Sequence, residues 1–186
     1  LLSRFWPGDE VDIVSEFGRY FPVFVIADML ALPKQDHGRF YGWYCAQTAF
    51  VSNLARDPAI DAAGVAATRD LGDYLGPLVR ARRESPGDDL ISLLATSEID
   101  GELLPDAEVI THATHLLNAG SETTTHLISG SVLELLKEPA RRDWLAADWS
   151  RAGLAVEEFL RFVSPVQFSK PRYVRQDVDL DGVKLK

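Results

Sequence analysis

Residues 119–125, Ala-Gly-Ser-Glu-Thr-Thr-Thr, combine a carboxylic acid, four hydroxyls and a glycine in seven positions. Glu122 is the only formal charge between Val109 and Leu133. A carboxylic acid beside a hydroxyl, Glu122-Thr123, can pass protons into a dry pocket, and burial favours the neutral acid that such transfer needs. Gly120 has no side chain, which lets a flat ligand approach the backbone. A plainer reading stands beside this one: close helix packing at Gly120, with threonines filling small gaps.

The element that must position these residues runs from Pro105 to Lys137 without an internal proline. Pro105 suits a helix start, as do Asp106 and Glu108 in the first turn, and Pro139 marks its end. An apolar stripe through Ile110, Ala113, Leu117, Gly120, Thr124, Ile128, Ser131 and Leu135 predicts one packed face. So few charges predict a helix buried on most sides. The middle is nevertheless poor helix sequence, giving up about 2–3 kcal/mol against an Ala-rich stretch. Ser and Thr can bond back to a carbonyl there and bend the helix.

Upstream, the sequence predicts helical segments over 11–32, 34–54 and 58–83. A short helix starts after Asp88-Asp89, and a tight turn lies at Asp100-Gly101. Downstream, two shorter helices cover about 139–147 and 151–163. Val178, Leu180, Val183 and Leu185 alternate with polar residues around Asp181-Gly182, which predicts a β-hairpin.

Ala119 to Thr124 resembles the long-helix motif of the cytochrome P-450 superfamily, Ala/Gly-Gly-x-Asp/Glu-Thr-Thr/Ser. Glu158-Phe159-Leu160-Arg161 resembles that family's Glu-x-x-Arg helix; taken alone, the same four residues read as a surface ion pair. Ser164-Pro165-Val166-Gln167-Phe168, with Arg172 and Asp177, resembles the segment that follows. The resemblance implies a mainly α fold: the central part of the cytochrome P-450 fold, with a long central helix and a small β-hairpin or sheet near the C-terminal end. It implies one partial domain over 1–186. A helical lid region covers about 1–104, the long helix about 105–137, and the Glu-x-x-Arg helix with the start of a small β region about 150–186.

The resemblance also implies a heme-thiolate monooxygenase, an oxidoreductase that inserts one atom of dioxygen into an apolar organic small molecule. Glu122 and Thr123 are then the proton-delivering pair, and Ala119 and Gly120 lie against heme. Arg172, or Lys170 in its place, reaches a heme propionate. His115, Asn118 and Val166 face the substrate, and Glu158 and Arg161 tie their helix to the heme-side core. For His115 the alternative is a core histidine with its hydrogen bonds satisfied. The acid–alcohol pair favours reductase-fed chemistry over peroxide use. The soluble bacterial type implies a ferredoxin or flavodoxin-type electron donor and a cytoplasmic protein.

The 186 residues are 46% hydrophobic and 25% charged, with a net charge of -9 and no basic stripe. That argues against a nucleic-acid surface and against docking on an anionic membrane. Cys45 is the one cysteine, so no disulfide can form within the chain. In the family the heme-ligating cysteine sits in a Phe-x-x-Gly-x-Arg/His-x-Cys-x-Gly loop. Tyr41, Trp43 and Gln47 break that pattern around Cys45, which reads instead as a packed small residue. The chain begins at Leu1 and stops in mid-pattern at Lys186, so a piece of a longer protein is expected, inactive alone. Two other classes compete. One is a non-heme metal site using His112, His115, Glu122 and His126. The other is a non-catalytic helical binding or interaction module.

Overall fold

Capping carboxylates and prolines set most of the helix starts. The computed structural model describes residues 5, 8, 10–167 and 173–186. A π-helical turn, Val14–Gly18, leads into α1, Phe21–Met29. A 3-10 turn over Lys34–Asp36 precedes α2, His37–Val51. The Asp57 carboxylate accepts from the Ala59 N–H at 2.8 Å, and Pro58 opens α3, Pro58–Glu84. Such a cap satisfies one of the amide donors orphaned at a helix start. Asp89 caps α4, Leu90–Ala95, in the same way through the Ser92 N–H at 2.9 Å.

A small hairpin follows, β1 (Glu98–Ile99) against β2 (Glu102–Leu103), with Glu98 opposite Leu103. Its turn residues Asp100 and Gly101 both have positive φ, 54° and 83°. Two-residue hairpin turns favour this geometry, and Asp-Gly tolerates it. Then come α5 (Asp106–Lys137), α6 (Pro139–Ala146) and, after a 3-10 turn over Trp149–Arg151, α7 (Ala152–Val163). The second hairpin pairs β3, Val178–Leu180, with β4, Val183–Leu185, around Asp181-Gly182. The architecture is mainly α with a small C-terminal hairpin, as the sequence predicts; the β1–β2 hairpin adds strand pairing where the sequence reading gave only a tight turn at Asp100-Gly101.

The core lies between α1 to α4 on one side and the N-terminal half of α5 on the other. Val23, Leu30, Phe40, Leu71, Leu75, Val79, Val109, Ala113 and Leu117 have no exposed surface. Within α2 the buried stripe is Phe40, Trp43, Tyr44 and Gln47, the three- and four-residue spacing of one helix face.

Two arginines at the end of α3 fasten this layer. Arg82 Nε lies 2.8 Å from Asp89, whose side chain is almost fully buried. Arg83 spreads its fork over three elements. It binds Asp106 at the start of α5 at 2.7 Å and the Ala95 carbonyl at 2.6 Å, and it also donates to the Leu104 carbonyl. The planar guanidinium suits this three-way role, which an ammonium cannot copy.

The buried face of α5 differs from the expected one. Val109, Ala113, Leu117, Ser121 and Thr125 are buried, in strict steps of four. That row drifts round the helix, as an i±4n packing ridge does, whereas the expected stripe followed the average 3.6-residue period. Beyond Leu117 the two diverge, and Ser121 and Thr125 replace Gly120 and Thr124 against the core. The helix is also not buried on most sides: Thr111, His112, His115, Ala119, Glu122 and His126 are exposed. Nor is Cys45 packed; it is exposed.

α7 is attached more lightly. It buries no residue, and Leu154, Val156 and Phe162 are exposed. It meets α5 at Gly130, where an added Cβ would lie 2.5 Å from Val163 Cγ1, so the absent side chain permits the contact. Glu158 and Arg161 form a two-bonded ion pair at 2.6 and 2.7 Å, one turn apart and exposed.

Two measurements check these anchors. Burial alone would raise the Asp89 carboxyl, but the Ser92 N–H and hydroxyl and the Arg82 guanidinium outweigh it and hold it below the usual aspartate range. Its contribution is therefore present above the unfolded-state value and lost as pH falls through the folded one. Asp89→Ala is expected to cost about 3 kcal/mol in urea unfolding near neutral pH, with the difference shrinking in acid. Hydrogen bonding from Arg161 likewise lowers Glu158. Arg161→Ala should return the Glu158 carboxyl carbon titration, read by NMR, to the usual glutamate range; an unchanged midpoint would mean the pair is absent in solution.

Candidate functional site

Helix α5 holds its hydroxyls by a local rule. Thr111, Ser121, Thr123, Thr125, Ser129 and Ser131 each donate to the carbonyl four residues earlier. For Thr123 the acceptor is the Ala119 carbonyl at 2.7 Å. Its proton is committed there, and its lone pairs remain free to accept. Thr125 also lies 2.8 Å from the Gly18 carbonyl oxygen, tying α5 to the turn before α1. Back-bonding lets a helix carry polar residues without needing water at each one.

On the exposed side, His115, Ala119, Glu122 and His126 recur in steps of four, three and four, which places them on one face. Thr123 borders it, half-buried. The burial expected for Glu122 is therefore absent. His115 is not a buried core histidine, since it lies on this open face. Beside the C-terminal end of the face a cleft of about 470 Å³ opens between α5 and the segment after α7. His126, Ser129, Val163, Ser164, Pro165 and Gln167 line it. Val166, in the same segment, is exposed. Arg172 and its alternative Lys170 lie outside the described residues.

Gly120 and Asn118 also make contacts on the packed side of α5. An added Cβ on Gly120 would lie 3.1 Å from Ile26 Cδ1. The missing side chain thus lets α1 pack against α5, and the open face begins at its neighbour Ala119. Asn118 points toward α2, where its Nδ2 donates to Gln47 Oε1 at 2.9 Å. Gln47 Nε2 donates on to Thr68 Oγ1 of α3 at 3.2 Å.

Sequence reading missed Gln47, Thr68 and Tyr44. Tyr44 stands one turn before Gln47 on the buried stripe of α2. Burial pushes its phenol up, and the charge of Glu122 acts in the same direction. The signal for Gln47 was available, because an amide in an otherwise aromatic buried stripe must have a partner. Among the described residues, no three His, Cys, Asp or Glu side chains gather closely enough to hold a metal ion, so His112, His115, Glu122 and His126 form no such cluster. Among the same residues, no helix is long and apolar enough to cross a membrane.

No family model matches the chain. Curated proteins and solved structures do. The chain is 33% identical over its full length to pulcherriminic acid synthase of Bacillus subtilis, covering 46% of that protein. It is 40% identical, again over its full length, to the vitamin D(3) 25-hydroxylase of Pseudonocardia autotrophica, covering 44%. Among solved structures, it matches CYP109E1 from Bacillus megaterium in complex with testosterone. There the TM-score is 0.79 at 34% identity, over 95% of this chain and 46% of that one. The chain thus spans less than half the length of these relatives. A shared mainly α fold, together with this level of identity along the whole chain, including 35% to cytochrome P450(MEG) of Priestia megaterium over 45% of that protein, leads to one conclusion: the chain belongs to the cytochrome P450 superfamily.

Proposed function

We propose that the intact protein is a heme-dependent monooxygenase acting on an apolar small molecule. One observation carries this reading most of the way. The open face of α5, from His115 to His126, has a single charge, Glu122, where an ordinary solvent-facing helix surface has many. Such a face suits an apolar group lying over it.

The residues present fit a flat, largely apolar ring system. Ala119 presents only a methyl group on the exposed face, and the adjoining cleft is walled partly by Val163 and Pro165. Ala119 would lie against the heme, and the expected propionate contact is Arg172. Bound heme would supply activation of dioxygen. The cysteine ligand is expected outside residues 1–186, because Cys45 sits on α2 in a sequence unlike the ligand loop; the chain alone is then inactive.

The chain's own residues serve proton movement. Thr123 Oγ1, its hydrogen held by the Ala119 carbonyl, accepts a hydrogen bond on the open side. Glu122, one position earlier, takes up a proton from water at its carboxylate and releases it on the same face. Asn118 and His115, one and two turns from Glu122 toward the N-terminus, face the substrate in this reading, and Val166 approaches from across the cleft. Regions 1–104 act as the lid over the site. Glu158 and Arg161 tie α7 to the heme side once the remainder of the protein covers them.

The electron donor is a ferredoxin or flavodoxin-type protein, and the setting is the cytoplasm. The steroid in the CYP109E1 complex and the vitamin named for the Pseudonocardia hydroxylase support an apolar substrate here.

In the full-length protein, Glu122→Gln is expected to slow turnover by about 100-fold. Thr123→Ala should let oxygen consumption continue while the share that ends in product falls several-fold. Oxygen-electrode traces set against product yield decide both, and unchanged coupling in Thr123→Ala contradicts its proton role.

A further inference from the structure

Three of the chain's five tyrosines stand in file where α1 meets α2. Tyr44 and Tyr41, one turn apart on α2, have ring centres 6.2 Å apart. Tyr41 and Tyr20, the residue before α1, are 4.6 Å apart. Tyr44 is buried, while Tyr41 and Tyr20 are half-buried. The file thus begins inside the fold and ends where solvent has access. Its inner end is on the side of α2 that packs against α5. Tyr44 lies one turn before Gln47 on the buried stripe, and the Gln47 and Asn118 amides are 2.9 Å apart. Asn118 directly precedes Ala119, the residue against which heme would lie.

Phenylalanine would fill the same space without burying hydroxyls, which cost free energy unless bonded. What the three phenols add is an O–H that a strong one-electron oxidant can oxidise. Burial and the neighbouring Cys45 thiol push Tyr41 up to about 12, and burial raises Tyr44. Both phenols are therefore protonated at neutral pH. Each loses its proton with the electron and leaves a neutral phenoxyl rather than a buried charge. Ring separations of this size allow rapid electron transfer between neighbours. The other oxidisable pair, Trp43 and Tyr74, has ring centres 5.4 Å apart. The Arg39 guanidinium lies over those two rings at 4.8 and 5.4 Å, and its positive charge opposes removal of an electron there.

We propose that Tyr44, Tyr41 and Tyr20 form an electron-hopping file that carries oxidising equivalents away from the heme face when they fail to reach substrate. The oxidant is hydrogen peroxide acting at that face. Tyr44 gives up one electron to it and its phenolic proton to water. The Tyr44 phenoxyl then takes an electron and a proton from Tyr41, and the Tyr41 phenoxyl takes them from Tyr20. A soluble one-electron reductant of the ascorbate or thiol class restores Tyr20 with an electron and a proton. Two such passages supply the two electrons and two protons that convert one hydrogen peroxide to two waters. The file rests on the monooxygenase reading for the presence of heme.

The test mixes full-length ferric holoprotein with hydrogen peroxide, without substrate, and freezes it for electron paramagnetic resonance. Wild type should give a tyrosyl signal that ascorbate removes. Tyr44→Phe should lower that signal several-fold and speed peroxide bleaching of the Soret band several-fold. Tyr20→Phe should keep the signal but slow its removal by ascorbate several-fold. A purely packing role would leave all three readouts unmoved, because phenylalanine keeps the ring. Absence of a tyrosyl signal, a tryptophanyl signal in its place, or signal and bleaching unchanged in Tyr44→Phe overturns the proposal. A purified full-length protein without a heme Soret band overturns the monooxygenase reading and the file with it. A normal Soret band with no tyrosyl signal overturns the file alone.

Discussion

The structure depends on one constraint: α5 must stay helical through a long stretch that has hydroxyls but almost no charge. Back-bonding meets that constraint. Each bonded Ser or Thr satisfies its hydrogen on the helix's own carbonyls. The helix can then be packed on one side and remain apolar in character on the other. The intrinsic cost of Gly, Ser and Thr, a few tenths to about 1 kcal/mol each, is offset by tertiary packing. Ser121 and Thr125 lie in the core, and Gly120 admits Ile26 of α1.

The remaining elements hold α5 in register. Arg83 joins the end of α3 to the end of α4, the residue after β2 and the first turn of α5. Its neighbour Arg82 secures the capping carboxylate of α4. Farther along, Thr125 reaches the backbone before α1, and the Gln47–Asn118 amide pair spans α2 to α5. The first half of α5 is thus fixed from several directions, while its second half meets the turn before α1 through Thr125 and Ser129 and is otherwise flanked by α6 and α7. The open face and its cleft lie where those two regimes meet.

Much of this was legible in the sequence, for identifiable reasons. Proline and aspartate marked the starts of α3, α4 and α5, because their effects on a helix terminus are local. The two Asp-Gly turns were readable because few residues tolerate positive φ. The family resemblance rested on short motifs whose spacing survives in one dimension. What could not be read was rotational. The stripe on α5 follows a packing ridge chosen by α1 and α3, so Ser121 and Thr125 turned inward and Glu122 outward. Gly120 could have served a ligand or a helix; only the position of Ile26 decides. The acceptors of Arg82 and Arg83 could not be read either, because they are long-range or in loops that periodicity does not describe. The tether of Asn118 to Gln47 spans 71 residues of sequence, which no local pattern describes.

In the proposed intact protein, the face around Ala119, with Glu122 its single charge, is covered by thiolate-ligated heme. The most direct measurement is the reduced, carbon monoxide-bound difference spectrum of the full-length protein, recorded for wild type and for Ala119→Trp. The wild type is expected to show the long-wavelength Soret band that thiolate ligation gives, and Ala119→Trp to lose it or show it strongly reduced as an indole fills the face. A wild-type spectrum without that band, or an unaltered band in Ala119→Trp, would contradict it.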